Sequence, residues 1–283
     1  MFRGVKSFFA VATALVGLVA CGMPDAQPVV DQMRLQAAEK GFVQRLNYSA
    51  VSIGGLGTAP WVRSEVFEAD DAEFAALLAL LRENQQLNDE IGGASFNVGV
   101  FPLLNGTEFD LRDVADAPTG EMLSRLAGPD VERVKYYRTT SSRGLEVSAA
   151  PAAYDRVAEL VPEMQENGID LLRAGPTYIS LGPTSTPASV AAHLRAVDEV
   201  RAVLAPDQVT AVRVGERIDI VEVRTESLEP ARYAPLRALL PADTELVVSH
   251  PPATSSRAIV GGVSEGRASS EEEAALRAVV EKR

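Results

Sequence analysis

Three stretches of this chain carry one pattern, roughly eighty residues apart. Ala72, Ala152 and Ala231 are each followed two residues later by an aromatic: Phe74, Tyr154 and Tyr233. Leu77, Val157 and Leu236 come three residues further on, then the pairs Leu80-Leu81, Leu160-Val161 and Leu239-Leu240. An aromatic with aliphatics at those offsets is the inward stripe of an amphipathic helix. Any such helix shows it, so the motif alone constrains little. What constrains the fold is its company: each copy follows two β-rich runs, so a β-β-α order recurs.

Read in order, residues 29–40 form a helix stopped by Gly41. Runs at residues 46–53 and 61–67 form two strands, and Asp70 or Asp71 caps the helix of the first copy. A strand at 95–101 closes that pass. In the second, residues 119–126 are helical, 131–138 and 144–148 pair as a hairpin, and Pro151 opens a helix before an extended run at 169–172. The third pass begins with a strand at 177–181. Thr186-Pro187 then starts a helix bearing Val190, Leu194, Val197, Val200 and Leu204 on one face. A hairpin at 209–214 and 218–223 turns around Gly215. Pro230 opens the next helix, and residues 245–249 form a last strand. Residues 253–269 are rich in Ser and Gly, with an apolar patch at Ile259-Val260 that suits an edge strand or a linker. Ser270-Glu271-Glu272-Glu273 is a capping-box sequence before a short terminal helix, expected to be frayed or loosely docked.

The reading is α+β: antiparallel sheets covered by helices, in two or three tandem modules of about eighty residues. Boundaries are expected at 29–104, 105–174 and 175–250, with a linker and helix over 251–283. The β-α-β-β-α-β order of the third pass matches a split βαβ, ferredoxin-like arrangement. The 283 residues and a hydrophobic share of 46% suit a folded chain of this size.

The first twenty-one residues are of another kind. Arg3 and Lys6 precede an uncharged apolar run too short to span a bilayer, which reads as an export signal. It ends in Leu18-Val19-Ala20-Cys21, which resembles the lipobox of bacterial lipoproteins. That resemblance implies cleavage of residues 1–20 and a diacylglycerol thioether on Cys21, the only cysteine of the chain. Residues 21–28 would then be a lipidated tether reaching roughly 25 Å at most. It also implies an extracytoplasmic location on the cell membrane. Gly22 is not acidic, so the outer membrane of a double-membrane cell stays open. A lone cysteine leaves no intramolecular disulfide, so the cores alone must stabilise the fold. Losing Arg3 and Lys6 takes the formal charge from −12 to −14. Such a chain is repelled by nucleic acid and by anionic headgroups, so attachment falls to the lipid.

The chemistry-bearing residues are few. His193 lies at the edge of an apolar helix face and His250 ends a strand. With no HxxxH or HxH spacing, both read as structural residues and no metal site is assigned. Gly54-Gly55-Leu56-Gly57 looks like a phosphate loop, but a strand follows it and not a helix, which makes it a hairpin turn. Glu108, Asp110, Asp113 and Asp116 follow an Asn105-Gly106 turn. They lack Ca²⁺-loop spacing and read as a solvated acidic loop. Trp61 and Tyr136-Tyr137 are aromatic candidates for a ligand surface, with packing into a sheet as the alternative.

No residue is assigned a catalytic role and no cofactor is implied. The expected function is non-catalytic: binding or scaffolding an envelope protein or cell-wall component. The competing classes are a cell-wall hydrolase using a carboxylate pair and a solute-binding lipoprotein, the latter disfavoured by the hairpins.

Overall fold

The computed structural model describes residues 25–52, 57–90, 96–112, 120–138, 142–205, 207–251, 254–261 and 270–281. The signal segment and Cys21 lie outside them, as do Asp113 and Asp116.

After helix α1 (Gln27–Glu39) the described chain repeats one move six times: two strands, then helix. Strands β1 (Asn47–Ser52) and β2 (Thr58–Glu68) lead to α2 (Asp71–Glu90). Strands β3 (Asn97–Leu104) and β4 (Thr107–Asp110) lead to α3 (Gly120–Leu126). Then β5 (Val131–Arg138) and β6 (Arg143–Ala149) are followed by α4 (Tyr154–Glu159) and α5 (Val161–Glu166). The pair β7 (Leu171–Ala174) and β8 (Thr177–Ser180) precedes α6 (Pro187–Val203). The pair β9 (Gln208–Val214) and β10 (Ile218–Arg224) precedes a 3₁₀ turn and α7 (Leu236–Leu239). Last come β11 (Thr244–His250), β12 (Thr254–Val260) and α8 (Glu271–Val280).

All twelve strands lie in one sheet, and their neighbours follow chain order from β1 to β12. Hairpin partners pair antiparallel, and strands joined through a helix pair parallel, as β2 with β3 and β8 with β9 do. The protein is thus a mixed α/β fold, but its sheet is mixed and not antiparallel. Nor is the βαβ unit of the third pass split: β8 and β9, joined by α6, lie side by side. The expected boundaries after residues 104, 174 and 250 each fall in a hairpin whose strands are bonded to one another.

Register shows how the layers are arranged. Tyr136, Leu145, Leu172, Ile179, Val214 and Ile218 stand opposite one another on successive strands. All six are buried. They belong to one hydrophobic core that also takes in the inward residues of every α-helix except α7's Leu239, which is exposed. On that side Phe74 of α2 meets Phe109 of β4 with ring centroids 4.7 Å apart. Strand direction reverses from one crossover to the next while the helices stay on one face. Consecutive crossovers therefore have opposite hand, and the usual right-handed preference yields here to one-sided packing.

Local chemistry places the helix starts. Asp70 accepts from the Glu73 amide at 2.8 Å and Glu73 reaches back to the Asp70 amide. Thr186 and Ser189 form the same reciprocal box ahead of α6. Asn105 and Gly106, both at positive φ, make the tight β3–β4 turn.

Two open readings at the C-terminal end are decided: of edge strand and linker the first holds, and the terminal helix is not loosely docked. Residues 254–260 form a full strand, in register with β11 along its whole length. The terminal helix α8 is docked, with Leu276 and Val280 buried and its Val280 carbonyl accepting from Gly261. β12 supplies the surface that a short helix needs.

The candidate functional site is the uncovered sheet face

If one face of the sheet is core, the alternate residues of every strand point the other way. The sequence pattern makes them polar, charged and aromatic. Across eight strands one row reads Lys135, Glu146, Arg173, Tyr178, Arg213, Ile220, Glu245 and Ile259, each opposite the next. None of the eight is buried.

The row is cross-linked by charge. Glu146 takes Lys135 at 4.0 Å and Arg173 at 3.5 Å. Arg173 lies over the Tyr178 ring, 5.1 Å from its centroid, and donates from Nε to the Gly175 carbonyl. Arg257 pairs with Glu245 at 3.4 Å. These are partly exposed pairs, which contribute little stability. They do hold long side chains in place over the sheet.

Next to this row lies a closely packed spot of the face. The Tyr137 ring crosses the backbone of Gly144, so that a Cβ there would sit 2.4 Å from the ring. Partial burial pushes the Tyr137 phenol above its ordinary pKa. At the β2 end, the Arg63 guanidinium stacks on Trp61, 3.3 Å from the ring centroid. Gly99 of β3 stands opposite Arg63 and leaves room beside the stack.

The acidic stretch after the Asn105-Gly106 turn is a strand at its start and not a loop. Glu108 and Asp110 point onto this face, in register with Arg133 and Lys135. The Asp110 carboxylate is fully covered by Arg112 at 2.9 Å and Arg133 at 3.2 Å. Glu108 takes Arg133 at 3.3 Å. Their neighbours' guanidiniums neutralise them. Among the described residues no three His, Cys, Asp or Glu side chains are grouped to hold a metal ion.

The aromatic candidates separate. Trp61 and Tyr137 are on the uncovered face; Tyr136 is core, opposite Leu145. His193 is half-buried and burial lowers its pKa. It borders a cavity of about 200 Å³ with Ser185, Ser189 and Glu216. Both hydroxyls are committed to turn bonds there, Ser185 accepting from Gly182 and Ser189 donating to the Thr186 carbonyl. His250 is buried at its strand end with the Thr254 hydroxyl 3.3 Å away. The hairpin reading of residues 54–57 fits the antiparallel pairing of β1 with β2 on either side, although 54–56 lie outside the described residues.

Sequence reasoning missed Arg63, Arg173, Tyr178 and Gly144. The signal was there for three of them: Trp61-x-Arg63 and Arg173 next to a Gly-Pro turn before Tyr178 alternate as half-exposed strands do. No helix among the described residues is long and apolar enough to cross a membrane. No family model, curated protein or solved structure matches this chain.

Proposed function

We propose that this chain is a lipoprotein of the cell envelope, held by lipid on Cys21 at the extracytoplasmic face. It works as a non-catalytic binding or scaffolding protein. One observation carries the binding reading: among the described residues, the twelve-stranded sheet is packed on one face only. At about 4.8 Å per strand the other face is roughly 50 Å wide. It offers stacked aromatics and charges of both signs and no deep cleft, which suits a broad macromolecular partner better than a small solute. The eighty-residue modules are read as pairs of β-β-α units laid along that one sheet. A second envelope protein is the partner class of choice.

The test is made in the host. A photoreactive residue replaces Tyr178 on the face, or Ala192 on the exposed side of α6, in chains with and without Cys21→Ala. The expected result is a discrete protein adduct from position 178 and none from 192, together with release of the Cys21→Ala chain from the membrane. Equal labelling from both positions, or none, rejects the face as the binding surface. A Cys21→Ala chain that stays membrane-bound rejects the anchor.

A further inference from the structure

A sheet edge bares unpaired backbone groups, and folded proteins blunt such edges. Two devices of that kind are present. At the β12 edge, Glu281 of the chain end after α8 accepts from the Ile259 amide at 3.5 Å. At the β1 edge, Arg34 of α1 donates to the Tyr48 carbonyl at 2.5 Å. One stretch has neither. β1 begins at Asn47, opposite Arg63, but β2 runs on to Glu68. Residues 64–68 therefore have β3 on one side and, among the described residues, no strand on the other. A bulge between Arg63 and Val66 sets them off, and there the Ser64 hydroxyl, not the backbone, accepts from the Phe101 amide.

The chain ahead of β1 does not fill the gap. It turns back on itself, with Arg45 and Leu46 amides bonded to the Phe42 carbonyl. Between this turn and β2 lies an open slot of about 690 Å³. Val43 and Val66, on its two walls, are 47% and 54% exposed, two of the four large apolar side chains so exposed among the described residues. Arg34, Arg45 and Arg63 line it with one acid, Glu65; Arg34 also meets Asp31 at 3.1 Å and Arg45 meets Glu73 at 3.0 Å, both in partly exposed pairs. Arg45 is held over the Phe67 ring, 5.4 Å from its centroid. The slot is a bare strand edge with apolar side walls and three guanidiniums along it, two of them in partly exposed pairs that an incoming carboxylate can share.

We propose that the slot takes an extended, acidic peptide segment of a protein partner, which adds as a strand beside residues 64–68. Backbone bonds supply the pairing, Val43 and Val66 contact its apolar side chains, and Arg63 meets its carboxylates, with Arg34 and Arg45 shared from their partly exposed pairs. The proposal rests on the non-catalytic binding reading and uses the β2 edge, where Arg63 of the uncovered face also lines the slot. Ala26 lies at the other end of β2, where its amide donates to the Thr58 hydroxyl at 2.8 Å. The slot is thus roughly 26 Å along β2 from Ala26.

The experiment uses the full chain in detergent. The probe is a fluorescent peptide of alternating Glu and Val, about ten residues long. Its Lys-for-Glu counterpart and a form N-methylated at alternate amides serve as comparisons. The Glu peptide is expected to bind and to slow amide exchange at residues 64–68. Both comparison peptides, and the variant Arg63→Gln with amide exchange away from residues 64–68 unchanged, should bind at least about tenfold more weakly. Equal binding of the N-methylated form, slowing mapped elsewhere, or no binding at about 1 mM overturns the proposal. So does concentration-dependent protection of 64–68 without peptide, which would make a second copy of the chain the occupant. The two readings fail separately, because cross-linking reports on Tyr178 and this measurement on the β2 edge.

Discussion

The two faces of this sheet are built from alternate residues of the same strands, yet they obey different rules. Tyr136 is closed into the core and Tyr137 lies in the open across Gly144. Leu172 and Arg173 divide in the same way on β7. On the covered side, neighbours across strands are chosen for shape and apolar area, and stability comes from there. On the open side they are chosen for charge and stacking, in pairs that contribute little to folding. A sheet covered on both faces has no such freedom. Covering one face leaves about half of every strand available for surface chemistry.

That contrast can be broken most directly at Phe74. It is fully buried against Phe109, and Phe74→Ala should cost about 3–5 kcal/mol in urea unfolding. A loss below about 1 kcal/mol would mean that the covered face is not the source of stability.

Tyr48→Phe has a smaller effect with a pH signature. The Tyr48 hydroxyl meets the buried Asn84 amide at 2.8 Å, and losing it leaves that donor unpaired at a cost of about 1–3 kcal/mol. Burial pushes the Tyr48 phenol up to about 12. The folded state therefore keeps its proton while the unfolded chain loses it near pH 10. Stability from this group is full below pH 10 and erodes as pH rises through about 12. Alkaline unfolding of the wild type should be steeper over that range than that of Tyr48→Phe.

Gly144→Ala sharpens the comparison, because it asks whether the open face has any packing of its own. The added methyl collides with the Tyr137 ring, and a destabilisation of about 1–3 kcal/mol is expected. Tyr137→Ser in the same chain should restore most of it. Failure of that rescue would place the strain in the backbone and not in the ring. The smallest effect belongs to Glu245→Ala/Arg257→Ala. Their exposed pair lies at 3.4 Å, and the change should stay within about 0.5 kcal/mol.

Periodicity made much of the fold legible. The hairpins β5–β6 and β9–β10 and the helices α2 and α6 follow from alternation and from caps. The order of strands was not legible, because hairpins joined by helices are compatible with several sheets. What decides it is parallel pairing between strands such as Glu146 with Arg173, whose match appears only once both are side by side. β4 was hidden for a related reason. Glu108 and Asp110 look solvated alone and become strand residues opposite Arg133 and Lys135. Tyr136 and Tyr137 could have been separated from the start, since Tyr136 shares parity with the apolar Val134. The candidate face was only partly legible: Trp61 carries its own signal, whereas Gly144 means nothing until Tyr137 is seen above it.

The chain-order sheet has a consequence for how the protein forms. Each strand's neighbour lies one turn or one helix away, so no pairing waits for a distant part of the chain. Loop-closure entropy is therefore paid in small, similar steps, which favours fast folding for a sheet this wide. A chain emerging N-terminus first can pair β1, β2 and β3 as soon as each appears. The four-residue strand β4 is the thin link in that series, with two registered pairs to β3 and three to β5. Growth from either side should pause there, and hydrogen exchange should find the two parts of the sheet opening along that seam first.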